Sequence, residues 1–306
     1  MPVALVCAAV FGVQAAAAQA AIPPHDLVRV VEIQYRAHNG LPRHAFVIVP
    51  KWYGPRNHPS LPLVISPHGR GVPARDNVHL WGNLPALGRF AVVNPEGQGR
   101  KLALYSWGDP GEISDLAKMP SLVHLALPWL RIDSRRIYGF GGSMGGQEVL
   151  LLLAKHPALL AGVAAFDAPT DLALRYKDFP EITFGKHLQQ LSQLEVGGTP
   201  SNDPRAYALR SPIDYARQIA FSGVPLQIWW STNDAIVVDQ AANSGALYQA
   251  VERWNPRAPV VQVVGAWAHS AEMRSDALGL PRALGQFGLV PPFAGPAPAL
   301  DAGATA

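Results

Sequence analysis

The sequence predicts an α/β fold: a mostly parallel, doubly wound sheet with an antiparallel N-terminal hairpin and a cap insertion. Three observations lead to this prediction. Short apolar runs alternate with segments of helical spacing, from residue 61 to residue 287. Two earlier β-type runs are joined around Asn39-Gly40, a typical hairpin turn. A long polar stretch, residues 171–224, interrupts the alternation. Strands that alternate with helices favour a parallel sheet with helices on both faces.

Each predicted strand is a short β-branched or apolar run that ends in a turn or a polar loop. The predicted strands are 28–35, 44–49, 61–66, 90–94, 136–140, 160–166, 225–230 and 260–264. The predicted helices are 114–127, 147–154, 245–253 and 275–287, with a further helix near 184–194 inside the insertion. We interpret residues 171–224 as a cap over a site, because functional groups gather at the carboxyl ends of parallel strands.

Length and composition indicate one large domain, which we place at residues 26–288. A chain of 306 residues of which 49% are hydrophobic can bury a substantial core. The net charge is +3, but the 25 lysines and arginines form no basic run. The sequence therefore predicts no nucleic-acid site, and it leaves the oligomeric state open.

The two ends of the chain differ from the domain in composition. Residues 1–20 resemble an export signal: residues 1–22 carry no charge, and an apolar stretch leads to Ala18-Gln19-Ala20, a cleavage pattern. We expect a secreted or periplasmic protein without stable membrane association; an uncleaved anchor is the alternative. Cys7, the only cysteine, lies in this segment, so the mature chain would have no disulfide. Residues 289–306 are rich in proline and alanine and predict a disordered tail.

The segment from Gly141 to Gly146 reads Gly-Gly-Ser-Met-Gly-Gly between a predicted strand and a predicted helix. This is G-x-S-x-G in the strand–turn–helix context that gives the motif its meaning. Glycines on either side allow a sharp turn that exposes the Ser143 hydroxyl as a nucleophile. The Met144 N–H, at a helix N-terminus, would face an oxyanion on the substrate. A glycine-rich turn that binds phosphate, or that only packs, is the alternative.

A serine hydroxyl needs a base and an orienting acid, and two strand-end loops supply them. His269 follows the last predicted strand and Asp234 follows the strand before it. The order Ser143, Asp234, His269 is that of one large group of serine hydrolases. Competing acids are Asp167 or Asp171, after the preceding strand, and Asp239; each of these aspartates could instead cap a helix.

His68-Gly69-Arg70-Gly71 follows an early strand and resembles a loop that supplies a second oxyanion N–H. We favour the Arg70 amide for this role, with Gly69 as second choice, and we expect His68 to hold the loop by hydrogen bonding. Trp107 and Trp267 are candidates for the lining of a substrate pocket. The sequence shows no cluster of metal ligands, so we expect neither metal nor cofactor.

Together these residues resemble the α/β-hydrolase superfamily from Val28 to Gly288. At a finer level the chain is similar to the catalytic domain of the prolyl oligopeptidase family and to related secreted esterases. The likeness rests on the serine motif, on Asp234-Ala-Ile-Val with Gln240 and Leu247, and on the lead-in 132–137. The resemblance implies an α/β-hydrolase fold and a Ser-His-Asp triad that works through an acyl-enzyme.

The expected reaction is the hydrolysis of a small or polymeric carboxylic ester. A peptidase or aminoacyl hydrolase is the alternative, with Glu181 or Asp178 available to recognise a free N-terminus. Two departures weaken a transfer of peptidase activity from the oligopeptidases: Ala268 precedes the histidine where glycine is common, and we expect no β-propeller between the predicted signal and the hydrolase core. A non-catalytic binding module is the third hypothesis.

Overall fold

The computed structural model describes residues 27–97 and 99–292. In this part of the chain eight strands form a single sheet in the order β1-β2-β4-β3-β5-β6-β7-β8. The strands are β1 (Val28–Arg36), β2 (Pro42–Pro50), β3 (Leu61–Ile65), β4 (Ala91–Pro95), β5 (Ile132–Gly142), β6 (Gly162–Phe166), β7 (Leu226–Ser231) and β8 (Val260–Gly265). Each predicted strand is present within a few residues of its predicted bounds.

Ten α-helices accompany the sheet in the described residues. They are α1 (Ala74–Asn77), α2 (Leu84–Gly88), α3 (Pro110–Ala126), α4 (Met144–Lys155), α5 (Leu172–Asp178), α6 (Gly185–Val196), α7 (Pro204–Ala208), α8 (Ala216–Ala220), α9 (Ala246–Trp254) and α10 (Gly279–Gln286). Short 3₁₀ helices span Val78–Trp81, Pro157–Leu159, Phe179–Glu181 and Pro212–Tyr215, and a π-helical turn, Ala241–Gly245, leads into α9.

The pairing of the strands follows the predicted mixture of directions. β1 pairs with β2 in an antiparallel hairpin, β2 pairs antiparallel with β4, and the remaining neighbours are parallel. Gly40, at the hairpin turn, has a φ of 79°, which a glycine adopts without strain. After β3 the chain moves outward to β4 and then returns to place β5 on the other side of β3. The carboxyl ends of β3 and β5 therefore flank the crevice where open α/β sheets place their ligands.

Helices cover both faces of the sheet, and each face has its own apolar cluster. Helices α3, α4, α8 and α9 pack on one face, where Ile113, Leu150 and Leu247 are fully buried. Helices α1, α2 and α10 pack on the other, around Trp81 and Leu284. Burying each such side chain contributes about 1.5–3 kcal/mol. The structure thus confirms the doubly wound α/β-hydrolase fold.

The insertion between β6 and β7 has a small core of its own. Helices α5 to α7 and the loop before α3 share a cluster of buried residues: Trp107, Leu172, Phe179, Leu188, Val196 and Tyr207. Arg210 links the insertion to the segment before α3, because its guanidinium donates to the Ser106 carbonyl at 2.7 Å and to Asp109 at 2.9 Å. The later helix α8 packs into the main core instead. The separate layer of the insertion is therefore formed by α5 to α7.

The predicted export signal, Cys7 and most of the predicted tail lie outside the described residues. Leu289, the first residue assigned to that tail, is buried in the second cluster. Between residues 27 and 292, no helix combines the length and the apolar character that crossing a bilayer requires.

Candidate active site

Ser143 stands alone between the end of β5 and the start of α4. Its φ of 56° and ψ of −128° are strained for a residue with a side chain. Its N–H donates to the Phe166 carbonyl of the neighbouring β6 at 2.8 Å, which holds this conformation. The side chain lines a cavity of about 310 Å³.

The glycines around Ser143 permit close approaches that any side chain would block. A Cβ on Gly141 would lie 2.3 Å from the carbonyl carbon of Gly145, so the strand could not fold back against the helix. A Cβ on Gly145 would lie 2.3 Å from the carbonyl oxygen of Pro67. The glycine at 145 thus lets the loop after β3 rest against the first turn of α4, beside the serine.

Backbone donors converge beside Ser143. Met144 is the first residue of α4, so its N–H belongs to the group that has no acceptor within the helix. A Cβ built on Gly69 would lie 4.0 Å from the Cβ of Ser143, which places the loop after β3 next to this serine. Helix N-termini and such amides attract developing negative charge.

Some of the backbone N–H groups in and beside the loop of residues 68–71 already have acceptors. The Gly71 N–H donates to the Leu104 carbonyl at 3.0 Å, and the Val72 N–H donates to the Gly69 carbonyl at 3.2 Å. Besides that of His68, the N–H groups of Gly69 and Arg70 have no acceptor among the described contacts. These are the two donors that the sequence proposed, so both remain candidates.

His68 is a fixed support of this loop. Its Nε2 accepts the N–H of Gly97 at 2.9 Å, so Nδ1 carries the proton and donates to the Gly69 carbonyl at 2.8 Å. The ring is buried, and burial lowers its pKa, so it stays neutral. His68 therefore holds the loop by hydrogen bonding, as the sequence predicted.

His269 and Asp234 meet at the carboxyl edge of the sheet. Nδ1 of His269 lies 2.7 Å from Oδ2 of Asp234, which also accepts from Gln240 at 3.0 Å. Burial opposes ionisation of Asp234, but the hydrogen bonds from His269, Gln240 and the Ile236 amide outweigh it and hold its pKa below the usual range. An ionised Asp234 fixes Nδ1 as the protonated nitrogen, which leaves Nε2 free to accept a proton. His269 lines the same cavity as Ser143.

The three competing acids have other partners. Asp167, buried at the end of β6, accepts the N–H groups of Trp267 and Ser270. Asp171 accepts the Leu174 N–H at 2.9 Å as the N-cap of α5. Asp239 accepts the Ala242 N–H at 2.9 Å. Of the four aspartates, Asp234 alone makes a hydrogen bond to the His269 ring in the described structure.

The cavity is apolar over most of its wall and carries charge at a few points. Its apolar lining includes Val72, Leu80, Trp107, Ile236, Val237 and Met273, and its charged lining is Arg70, Asp76 and Arg175. Trp107 thus occupies the predicted position. Trp267 does not line the cavity, which corrects that expectation. Its indole is directed to Asp167, with a donor–acceptor distance of 2.9 Å.

Arg175 is the cavity residue that sequence reasoning missed. It lies on α5, in a polar insertion where an arginine resembles any surface charge. The structure buries it to 3% exposure and places it in the cavity wall. Only the packing of α5 beside the cavity reveals this position, and no local pattern could have indicated it.

Two side-chain groups among the described residues place metal-ligating atoms within 4.8 Å of one another: His38, Glu112 and Asp115, and Asp167, Asp234 and His269. In the second group the carboxylate oxygens already accept backbone and side-chain N–H groups. In the first, Nδ1 of His38 lies 2.8 Å from Asp115. The second group is therefore occupied by hydrogen bonds that orient His269.

Comparison with protein families gives one match to this chain. The model of the prolyl oligopeptidase family matches residues 111–258, slightly less than half of the sequence. The matched segment includes Ser143 and Asp234 and ends before His269. No curated protein matches the chain.

Solved structures with the same fold include both esterases and peptidases. An esterase from Pyrobaculum calidifontis superposes with a TM-score of 0.61 at 18% identity, covering 85% of this chain and 84% of its own. An acylaminoacyl peptidase from Pyrococcus horikoshii has a TM-score of 0.60 at 15% identity, covering 85% and 40%. A dipeptidyl peptidase 4 from Porphyromonas gingivalis has a TM-score of 0.54 at 17% identity, covering 79% and 32%.

The chain therefore spans about a third of the length of the dipeptidyl peptidase and most of the length of the esterase. At these identities the superpositions establish the fold alone. Together with the family match they confirm the resemblance to the α/β-hydrolases and to the prolyl oligopeptidase family. They support a serine hydrolase of the α/β type.

Proposed function

We propose that this protein hydrolyses carboxylic esters through a Ser143–His269–Asp234 triad. The observation that carries the proposal is the 2.7 Å contact between His269 and Asp234, made beside a cavity that both Ser143 and His269 line. A strained serine after β5, a buried carboxylate after β7 and a histidine after β8, all at the carboxyl edge of one sheet, form the constellation of acyl transfer.

The proposed reaction has two halves. Nε2 of His269 takes the Ser143 hydroxyl proton as Oγ attacks the ester carbonyl, and the negative charge moves to the carbonyl oxygen. The amides of Met144 and Arg70, or of Gly69 in place of Arg70, stabilise that oxyanion. The intermediate collapses, the imidazolium gives its proton to the alcohol, and the acyl group stays on Ser143. Water then attacks by the same route and releases the acid.

The lining of the cavity supports an ester over a peptide with a free N-terminus. Recognition of an ammonium group requires carboxylates, and among the described lining residues Asp76 is the only one. Glu181 and Asp178, the candidates from the sequence, are not part of the cavity wall. The esterase from Pyrobaculum calidifontis, which the chain covers almost entirely, is also consistent with an ester substrate.

A peptidase is the second candidate function, favoured by the match of residues 111–258 to the prolyl oligopeptidase family. The same triad would cleave an amide, but the leaving amine must be protonated and the substrate must be held by its peptide backbone. The two candidates differ in their substrates and in the groups that bind them, while the serine chemistry is common to both.

A paired assay tests the proposal. The purified protein and its Ser143→Ala variant are assayed against a short-chain nitrophenyl ester and against aminoacyl and dipeptidyl nitroanilides. We expect ester hydrolysis that the variant reduces by at least about 10⁴-fold, since the nucleophile carries the covalent step. We expect the anilides to remain intact.

Three other outcomes each contradict part of the proposal. Strong anilide cleavage would assign the protein to the peptidase candidate. Ester turnover that persists in the variant would remove Ser143 from the mechanism. Failure of a fluorophosphonate to label Ser143, with no turnover of any substrate, would favour a non-catalytic binding module.

Export to the periplasm or the medium is a further part of this proposal. It rests on the uncharged apolar segment and the Ala18-Gln19-Ala20 pattern, both outside the described residues. Fractionation of expressing cells, with N-terminal sequencing of the product, tests it. A mature protein that begins at Ala21 is expected, whereas retention of residues 1–20 in the membrane fraction would indicate an anchor.

A further inference from the structure

One cationic side chain in the cavity wall forms no salt bridge with any described residue. Only 3% of the Arg175 surface is exposed, and its Nη1 has no hydrogen-bond partner among the described residues. No carboxylate of the described chain lies within 4.0 Å of its guanidinium, although the ring of Phe179 lies 4.5 Å from it. A buried charge is costly unless it is paired, so this group has unused capacity to bind an anion.

The neighbours of Arg175 add to this positive character. Arg70 lines the same cavity, and its guanidinium lies 6.0 Å from the Tyr105 ring. Burial lowers the pKa of Arg175 to about 10, with Arg70 lowering it and the carboxylates of Asp178 and Asp234 raising it. The group is therefore still charged at neutral pH, in a site that two cations share.

A second buried donor in the wall also lacks an acceptor. Nε1 of Trp107 is buried without a hydrogen-bond partner in the described structure. Trp107 and Arg175 lie in the same cavity as Ser143 and His269. The only carboxylate in the described lining, Asp76, is exposed. The wall therefore offers two unused N–H donors and two positive charges to a bound molecule.

We infer that the cavity selects esters that carry a free carboxylate, which Arg175 binds as its counterion while Ser143 attacks the ester. A guanidinium presents paired donors in the plane that matches a carboxylate. This inference rests on the proposed ester hydrolysis and specifies its substrate class: half-esters of dicarboxylic acids or ester oligomers that end in a carboxylate.

Matched substrates test the selection. Mono-4-nitrophenyl adipate and 4-nitrophenyl hexanoate have the same six-carbon acyl chain and differ in the terminal carboxylate. The measured quantity is the ratio of kcat/KM for adipate to that for hexanoate. We expect this ratio to fall about 10–100-fold in Arg175→Gln, because a charge-assisted hydrogen bond is lost. Arg175→Lys retains the positive charge but lacks the planar guanidinium. Its ratio should lie between those of Arg175→Gln and the unaltered protein.

Arg205→Gln provides the matched control, because Arg205 is an exposed arginine on α7, in the same helical layer. Its ratio should equal that of the unaltered protein. An equal ratio in Arg175→Gln and in the unaltered protein would overturn the inference while leaving ester hydrolysis intact. The Ser143→Ala variant tests the proposed function, because it should lose hydrolysis of both substrates. Failure of the proposed function can therefore be told apart from failure of the inference about Arg175.

A binding measurement tests the same inference without catalysis. Monomethyl adipate is titrated calorimetrically into Ser143→Ala, and into Ser143→Ala combined with Arg175→Gln. We expect a Kd at least tenfold higher in the double variant, with thermal unfolding curves showing that both proteins are folded. Equal affinities, or no binding to either protein, would overturn the inference even if the protein hydrolysed no ester.

Discussion

Oδ2 of Asp167 accepts the backbone N–H of Ser270, the residue after His269, at 2.8 Å. The same oxygen accepts the indole N–H of Trp267 at 2.9 Å, and Oδ1 accepts the Ser231 N–H at 2.9 Å. A fully buried carboxylate at the end of β6 therefore holds the loop on both sides of His269. Asp234 bonds the imidazole, whereas Asp167 bonds the backbone that carries it.

Replacing Asp234 with asparagine should reduce ester kcat by about 10²–10⁴-fold, because the amide no longer stabilises the protonated imidazole or fixes its tautomer. Steady-state kinetics measure this loss, and KM should change much less. An activity within threefold of the unaltered protein would show that another acid supports His269, with Asp167 the first to consider.

Replacing Asp167 with asparagine should reduce kcat less, by roughly tenfold, since the amide nitrogen would face N–H donors and loosen the loop. Because both aspartates act through His269, we expect the losses in the Asp234→Asn and Asp167→Asn double variant to be smaller than the product of the single effects. Strictly multiplicative losses would indicate that Asp167 has only a general structural role.

Gly145→Ala should impair folding and activity together. The new Cβ would meet the Pro67 carbonyl at 2.3 Å and push the loop of residues 68–71 away from Ser143. We expect a destabilisation of about 1–3 kcal/mol in urea unfolding, with a loss of activity in the folded fraction. Gly198→Ala is the control, since its Cβ would have only ordinary contacts, at 3.7 Å or more. Full activity in Gly145→Ala would refute this account of the turn at Ser143.

Glu148 makes stability depend on pH in a defined direction. It is buried on α4, accepts from Ser106, and has its pKa raised to about 8 by burial. The contribution of protonated Glu148 to the free energy of unfolding is fully present below its pKa in the unfolded chain, about 4.5. This contribution is lost as the pH rises through its pKa in the folded protein, about 8. Glu148→Gln should therefore gain stability relative to the unaltered protein between pH 5 and pH 9.

Urea unfolding of both proteins at pH 5 and pH 9 measures this difference, with Glu181→Gln as a control that removes an exposed carboxylate. A difference in unfolding free energy between Glu148→Gln and the unaltered protein that stays constant over this range would contradict the prediction.

The local sequence predicted the strands and the turn at Ser143, because nearby residues determine both. The run before Gly141 has the composition of a buried strand, and the steric demand at Gly145 follows from the turn itself. The positions of His269 and Asp234 were also predictable, because parallel strands bring their carboxyl ends to one edge.

Properties that depend on packing could not be predicted in this way. Trp267 follows the last strand as a pocket residue would, yet its indole N–H donates to Asp167, 100 residues earlier in the chain. Arg175 lines the cavity because α5 packs with α6 and α7 beside it, and nothing in the sequence around Arg175 distinguishes a buried arginine from a solvated one. Both outcomes are set by contacts between distant segments.

The order of the strands has a consequence for biosynthesis. Ser143 follows β5 and Asp234 follows β7, but His269 follows β8, which is added at the edge of the sheet. In the proposed triad, the serine and the acid are therefore synthesised before the base, which follows the last strand. We therefore expect hydrolytic activity only after β8 has paired with β7, when the fold is complete.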